Sequence, residues 1–341
     1  MSQPSSTRCL LLPLVPLYRL ALTFREFRLR FGIEPLRRLR FPVVSIGNLS
    51  TGGAGKTPLA IALALALSAR GLRVDVLSRG YGRQSNLAAR VLPDGSAEVF
   101  GDEPLLIARE TGVPVYVARR RYDAGTLAEA EALAGGGQGV HLLDDGFQHR
   151  QLARDVNILL LNQRDWQDWL LPAGNLREPL EAIRRADVLA IPANEPELES
   201  ALHVWGWNGP VWRLHRTMEI PAVSGPITAF CGIARPEQFF AGLEADGLNV
   251  ALRLAFPDHF TYTRRVLEEL IAEARGKEVT AVITTEKDLV RLGNLVSIFP
   301  QSMPLATARL RIKIENQAEA IDWLVDRVRQ GATAESLSSR L

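Results

Sequence analysis

The reactive side chains of this 341-residue sequence fall in short polar clusters, several of them placed directly after an apolar run. The first is Ser50-Thr51-Gly52-Gly53-Ala54-Gly55-Lys56-Thr57. Its glycines allow backbone N–H groups to turn inward around phosphate oxygens, Lys56 can reach the outer phosphates, and the Thr57 hydroxyl suits Mg²⁺. Ser50 stands where the strict pattern G-x-x-x-x-G-K-[ST] has glycine. An apolar strand pattern precedes the loop, and a long Ala/Leu stretch follows Pro58, so that a helix N-terminus adds its positive end to the same anion site. The stretch predicts a nucleoside triphosphate site.

The second cluster is Asp144-Asp145-Gly146-Phe147-Gln148-His149, after the apolar run 140–143. A strand ending in carboxylates downstream of a phosphate loop suits Mg²⁺, held directly or through water. His141 lies inside the strand and reads as a packed residue, whereas His149 lies beyond it. Arg79 and Tyr81, in Ser78-Arg79-Gly80-Tyr81, follow the strand pattern 74–77, where ligands of open α/β sheets gather. They suit a phosphate or a sugar, or simply an exposed turn. Arg121 closes Arg119-Arg120-Arg121 after another short strand, as a phosphate contact or part of a solvated charge run. Arg177 and Glu178 stand at a loop-to-helix junction suited to orienting a nucleotide, although helix-dipole complementarity also accounts for Glu178. Asp102 is compatible with a helix cap or a catalytic group. His259, in Phe256-Pro257-Asp258-His259-Phe260, is compatible with a base or a cap. Thr285 and Asp288 read as a capping box.

The elements that must position these clusters follow from periodicity. Strand, loop, helix and strand over 43–77 form a β-α-β unit, which implies a parallel sheet. The expected fold is α/β: a P-loop NTPase-like parallel sheet flanked by helices, with a second, smaller α/β domain joined by a two-stranded linker. Its parts are an N-terminal segment over 1–42, a nucleotide-binding domain over 43–210 to which a helix over 315–330 returns, linker strands 211–221 and 307–314, and the second domain over 222–306.

Apolar content of 47% is ample for buried cores. Cys9 and Cys231 are the only cysteines and lack metal-ligand spacing, so neither a disulfide framework nor a zinc site is indicated, which fits a reducing compartment. Residues 1–42 carry eight Arg against Glu26 and Glu34, so most of the basic character lies there. The apolar run in this segment is interrupted by Pro13, Pro16 and Arg19 and falls short of a spanning helix. Tyr18-Arg19-Leu20 offers no small-residue cleavage site for a secretory signal. Mixed Leu, Phe and Arg suit either a segment lying in a membrane interface or a helix packed on the protein's own core.

Taken together, Gly47-Asn48-Leu49 with the phosphate loop, Ser78-Arg79-Gly80-Tyr81, Gly101-Asp102-Glu103-Pro104, Asp144-Asp145-Gly146-Phe147-Gln148-His149, Leu176-Arg177-Glu178-Pro179, Pro257-Asp258-His259-Phe260 and Thr284-Thr285-Glu286-Lys287-Asp288 resemble the tetraacyldisaccharide 4'-kinase (lipid A 4'-kinase) family. The resemblance covers nearly the whole chain in the right order, and Ser50 agrees with that family's pattern. It implies transfer of the ATP γ-phosphate to the 4'-hydroxyl of an acylated glucosamine disaccharide 1-phosphate, with Mg²⁺, at the cytoplasmic face of a bacterial inner membrane. It also implies residue roles: the loop 50–57 with Arg177 and Glu178 for the nucleotide, Thr57, Asp144 and Asp145 for the metal, and Lys56 for the transferring phosphate. Asp102 and His259 would be a dyad activating the sugar hydroxyl, supported by Arg79, Tyr81, Arg121 and His149. The implied partners are the lipid substrate and a membrane surface, with neither nucleic acid nor an obligate protein partner. The weighed alternative is a membrane-associated P-loop ATPase switch, whose Lys-Gly-Gly-x-Gly-Lys-Thr loop would place a lysine where this chain has Thr51.

Overall fold

The computed structural model describes residues 8–134 and 139–338, with side chains described to residue 330 apart from that of Cys9. Residues 1–7 of the N-terminal segment lie outside that range. Twelve strands form one hydrogen-bonded sheet. In chain order they are β1 (Val43–Asn48), β2 (Arg73–Ser78), β3 (Ala89–Arg90), β4 (Val115–Val117), β5 (Gly139–Leu143), β6 (Val156–Leu160), β7 (Val188–Pro192), β8 (Val211–Glu219), β9 (Pro226–Cys231), β10 (Asn249–Ala255), β11 (Ala281–Thr285) and β12 (Leu305–Ile314). Across the sheet the order is β10-β9-β11-β12-β8-β7-β6-β1-β5-β2-β4-β3. Every neighbouring pair is parallel except β12 with β8 and β3 with β4.

β1 lies inside the sheet between β5 and β6, and all six of its residues are buried. Continuous apolar strands of this kind are what a parallel sheet covered on both faces requires. The helix Lys56–Ala69 is correspondingly apolar all round. Leu59, Ala60, Leu63, Ala64 and Leu67 are buried in one core with residues of the helices Asp102–Thr111 and Gln317–Ser338. Each leucine so buried stabilises the fold by about 2 kcal/mol.

β12 changes partner along its length. Leu305–Ala308 pair in parallel with β11, and Arg309–Ile314 pair antiparallel with β8. One strand thereby carries the sheet from the β9–β11 region, with the helices Pro236–Ala245, Arg264–Arg275 and Glu286–Leu292, into the P-loop region.

The loop-to-helix junction expected at Arg177 and Glu178 instead runs as turns into a short 3₁₀ segment, Leu180–Arg185. Its backbone is committed elsewhere: Ser50 and Leu176 form an antiparallel bridge, Thr51 N–H donates to the Asn175 carbonyl, and Arg177 N–H donates to that of Leu49. Ser50 is thus a buried pairing position beside the phosphate loop.

The helix Val15–Arg30 has two apolar faces. Val15, Tyr18 and Leu22 pack on the core around Phe147 and Leu176. Leu17, Leu20, Phe24, Phe27 and, just past its end, Phe31 share the opposite side at helical spacing and are 48–65% exposed. No helix of the described residues is long and apolar enough to cross a membrane.

Candidate active site

The phosphate loop leaves the C-terminal end of β1, and Asp144 follows β5 immediately beside it. Gly55 caps the next helix with a left-handed backbone (φ 92°), while Gly47 passes the Asp-Asp-Gly-Phe turn so closely that a Cβ there would lie 2.5 Å from Phe147 Cβ and 2.8 Å from its backbone nitrogen. Gly146 N–H donates to the Ile46 carbonyl at 2.9 Å, tying that turn across β1. Pro58 costs the helix little, because the first turn has no intrahelical acceptors for its N–H groups.

The two adjacent aspartates have different surroundings. Asp145, in a left-handed conformation (φ 47°), accepts from both terminal nitrogens of Arg177 at 3.1 and 3.2 Å and lies 3.4 Å from Lys56 Nζ. Burial acts to raise its carboxyl, but Lys56, then Arg177 and Arg121, outweigh it and hold the group down to about 2. Lys56 also donates to Asn48 Oδ1 at 3.0 Å, and Arg177 donates to the same oxygen at 2.5 Å. Asp144 is buried. Ser78 Oγ donates to its Oδ2 at 3.3 Å, and Oδ1 has no hydrogen-bond partner. Burial, then Glu103 and Asp145, push its carboxyl up to about 7.

An orphaned, buried carboxylate oxygen is costly unless something positive completes it. The donor set fits Mg²⁺, which takes few protein oxygens and fills its octahedron with phosphate and water oxygens. Asp144 would hold the ion, together with the buried Thr57 hydroxyl at the start of the helix. Among the described residues no cluster of three or more His, Cys, Asp or Glu side chains could form an all-protein metal site.

Asp102 is the first residue of its helix, after Gly101, so it does not occupy the cap position that local sequence suggested. Its Oδ1 accepts from Glu103 N–H at 3.0 Å. Its Oδ2 meets His259 Nδ1 at 3.0 Å and accepts from Arg291 Nε at 2.8 Å. Burial alone would raise this carboxyl, yet His259, Arg291 and Lys287 hold it well below the usual carboxylate range. His259 sits in a turn at φ 60°, and its proton affinity is raised chiefly by the hydrogen bond to Asp102, against burial. With Nδ1–H donated to the carboxylate, Nε2 is left with a lone pair. The Tyr81 ring lies 5.3 Å from the imidazole, centroid to centroid.

Thr285 caps the helix Glu286–Leu292 as expected, accepting from Asp288 N–H at 3.2 Å. Asp288, however, does not return to the cap backbone. It accepts the Thr285 hydroxyl at 2.6 Å, Tyr262 OH at 2.9 Å and Gly232 N–H at 3.0 Å.

Arg79, Arg121 and His149 line a cavity of about 590 Å³ with Arg119 and Arg120. Burial, then Arg121 and Arg154, lower His149 to about 4, so the ring is neutral at physiological pH. Glu178 is buried and pairs with Arg185, whose guanidinium lies 4.6 Å from the Phe147 ring centre. The N-terminal helix reaches the same loops: Tyr18 OH donates to the Arg177 carbonyl at 2.9 Å, and Arg25 donates to the Gln148 carbonyl.

Sequence reasoning left Asn48, Ser78, Glu103 and Arg291 without roles. The first three stand inside recognisable motifs next to assigned residues. For Arg291 the local signal was its spacing of three from Asp288, which puts the two side chains on one helix face. Lys287 donates to Glu103 at 2.5 Å, a second tie between the helices Glu286–Leu292 and Asp102–Thr111.

Residues 7–329 match the family model described as tetraacyldisaccharide-1-P 4'-kinase, LpxK. A tetraacyldisaccharide 4'-kinase of Koribacter versatilis is 39% identical over 324 residues, covering 92% of this chain and 97% of that protein. One from Anaeromyxobacter dehalogenans strain 2CP-C is 40% identical over 302 residues, covering 81% and 79%. The crystal structure of Aquifex aeolicus LpxK in complex with ATP superposes with a TM-score of 0.74 at 34% identity, covering 94% of this chain and 99% of that one. With the family model matched over nearly the whole chain and a relative of 39% identity covered almost end to end, the chain belongs to the tetraacyldisaccharide-1-P 4'-kinase family.

Proposed function

We infer that the chain transfers the γ-phosphate of ATP to the 4'-hydroxyl of a tetraacylated glucosamine disaccharide 1-phosphate, giving the bis-phosphorylated precursor of lipid A. The observation that carries the mechanism is the His259–Asp102 pair at 3.0 Å, which joins the P-loop region to the β9–β11 region.

A sugar hydroxyl is a weak nucleophile at neutral pH, and a base that takes its proton helps. His259 Nε2 accepts that proton while Asp102 keeps the ring oriented and stabilises the imidazolium. As the O–H bond breaks, the oxygen's electron pair forms the bond to the γ-phosphorus, and the bond from phosphorus to the bridging oxygen breaks to release ADP. Lys56 opposes the charge on the transferring group, and the loop's N–H groups at 52, 53 and 55–57, which the bonds of Thr51 to Asn175 and Ala54 to Gly52 leave over, cradle the phosphates. Arg177 and Asp145 orient Lys56. When bound at Asp144 and Thr57, Mg²⁺ would neutralise phosphate charge.

In this reading residues 43–210 hold the nucleotide and residues 222–306 supply the base. Arg79, Tyr81, Arg121 and His149 support the headgroup side of the cleft, and Glu178, paired with Arg185, supports the nucleotide side next to Arg177. The outward Leu/Phe stripe of the N-terminal helix, flanked by Arg19, Arg28 and Arg30, suits burial among lipid chains at the cytoplasmic face of a bacterial inner membrane, where the acceptor's acyl groups reside. An ATPase switch gains no support from this arrangement, since it has no use for a base facing an acceptor hydroxyl.

The test is transfer of labelled γ-phosphate, with purified protein, Mg²⁺ and ATP, to the lipid disaccharide 1-phosphate. Acceptor-dependent labelling at the 4'-position is expected. ATP hydrolysis of equal rate with and without acceptor, and no labelled lipid, would contradict it.

A further inference from the structure

We propose that Arg291 is a positioning residue for the proton-abstracting pair: from the helix Glu286–Leu292 it locks Asp102 against His259 and opposes the positive charge that His259 acquires. The inference rests on the reading of His259 as the base.

The guanidinium is nearly buried, at 7% exposure, and its donors are spent on one connected network. Nε and one terminal nitrogen lie 2.8 and 2.5 Å from Asp102 Oδ2, the oxygen that meets His259 Nδ1. The other terminal nitrogen donates to Asp288 Oδ1 at 3.0 Å and to the Gly232 carbonyl at 2.5 Å. Asp288 is fully buried and already fixed by Gly232 N–H, Tyr262 and Thr285. The Gly232 carbonyl also accepts His259 N–H at 3.2 Å, so base and guanidinium are held from one peptide group. A planar fork with donors in fixed directions can serve Asp102, Asp288 and Gly232 together, which a lysine ammonium on a flexible stem cannot do.

The electrostatic consequence follows from the same geometry. Three elements present charge to the imidazole. Asp102 comes from the helix Asp102–Thr111, and Asp258, on the turn of His259 itself, lies 3.9 Å from Nε2. Arg291 brings a terminal nitrogen within 3.4 Å of Nδ1. The loop after β2 adds the Tyr81 ring, and the Lys287–Glu103 pair lies alongside. The two aspartates favour the imidazolium, and Arg291 disfavours it. Both carboxylates raise the proton affinity of the ring, and the Arg291 guanidinium, 3.4 Å from Nδ1, acts against them. Arg291 keeps the orientation that Asp102 provides while limiting that rise.

The experiment compares the full chain with its Arg291→Gln, Arg291→Lys and His259→Ala variants. It measures kcat, KM for ATP, thermal midpoint, and the pH dependence of kcat/KM for the lipid acceptor. Arg291→Gln is expected to lower kcat about tenfold or more with KM for ATP within about twofold. Its acid limb is expected to move up by about one pH unit, because the opposing charge is gone. Arg291→Lys is expected to keep the parental acid limb while kcat falls several-fold. If Arg291→Gln does not fold, Arg291→Lys carries the test through the same split between kcat and KM. Parental kcat in the folded variants, or a loss of kcat in Arg291→Gln with the acid limb unmoved, would overturn the inference. His259→Ala separates the two readings. If it turns over like the parent, the base assignment falls and Arg291 with it. If it is impaired while Arg291→Gln is parental, the role of Arg291 alone is refuted.

Discussion

His259 Nδ1 lies 3.0 Å from Asp102 Oδ2, although 157 positions separate the two residues in the chain. The contact exists because β12 carries one sheet through both regions and the helix Glu286–Leu292 is tied to the helix Asp102–Thr111 by Lys287–Glu103 and Arg291–Asp102. In the proposed mechanism, groups that hold this contact serve the acceptor hydroxyl, and groups around Lys56 serve phosphate.

Lys56→Ala is expected to reduce turnover about 10²-fold or more, because it removes a charge aimed at the transferring phosphate. The thermal midpoint should change little, since Asp145 keeps its two bonds from Arg177. Steady-state kinetics with a melting curve check this; near-parental turnover would remove Lys56 from the phosphate cradle.

Gly47→Ala is expected to destabilise the protein by about 1–3 kcal/mol. The added methyl meets the backbone nitrogen of Phe147, which cannot rotate away as a side chain would. Because Phe147 follows Asp144-Asp145-Gly146, activity should fall more than the remaining folded fraction explains. Denaturant titration and turnover of the same sample test both statements.

His149 is expected to remain neutral down to about pH 5, since burial and neighbouring arginines depress its folded-state value to about 4, from 6.5. The unfolded chain then binds more protons than the folded one between these values, so this group's contribution is complete above about 6.5 and is lost as pH falls toward 4. Imidazole NMR titration gives the first quantity. Comparing melting curves of parent and His149→Gln between pH 4 and 7 gives the second, with the flatter profile expected for the variant.

Replacing Leu17, Leu20, Phe24 and Phe27 with serine is expected to weaken partitioning onto anionic liposomes while leaving ATP affinity within about twofold. Replacing Tyr18 and Leu22, which face inward, should instead lower the melting temperature. Equal liposome binding by parent and outward variant would reject the membrane role of this face.

The parts of the site legible in sequence are those whose chemistry is local. A phosphate loop is contiguous because successive N–H groups must converge on one anion, and Asp144-Asp145 stand at a strand end because the sheet delivers them there. The inward and outward stripes of the first helix were both present in the sequence, but which one meets the protein depends on the position of Phe147 and Leu176. Asp102 was ambiguous because an acidic residue at a helix start has a local explanation, and only the distant His259 and Arg291 show how its Oδ2 is used. Arg291 could not be singled out, since its partner Asp102 lies 189 positions away. The loop-to-helix junction at Arg177 and Glu178 leads into a 3₁₀ segment for the same kind of reason: long-range pairing of 175–177 with 49–51 takes up the backbone donors and acceptors that precede it.

The most direct test of the central claim, that Asp102 and His259 act as one unit on the acceptor hydroxyl, is a double-mutant cycle on turnover. Asp102→Ala and His259→Ala should each cost about 10²-fold or more with little change in ATP affinity, and the double variant should be little worse than either, since groups that act together are strongly non-additive. Fully multiplicative losses, or ordinary turnover in His259→Ala, would contradict it.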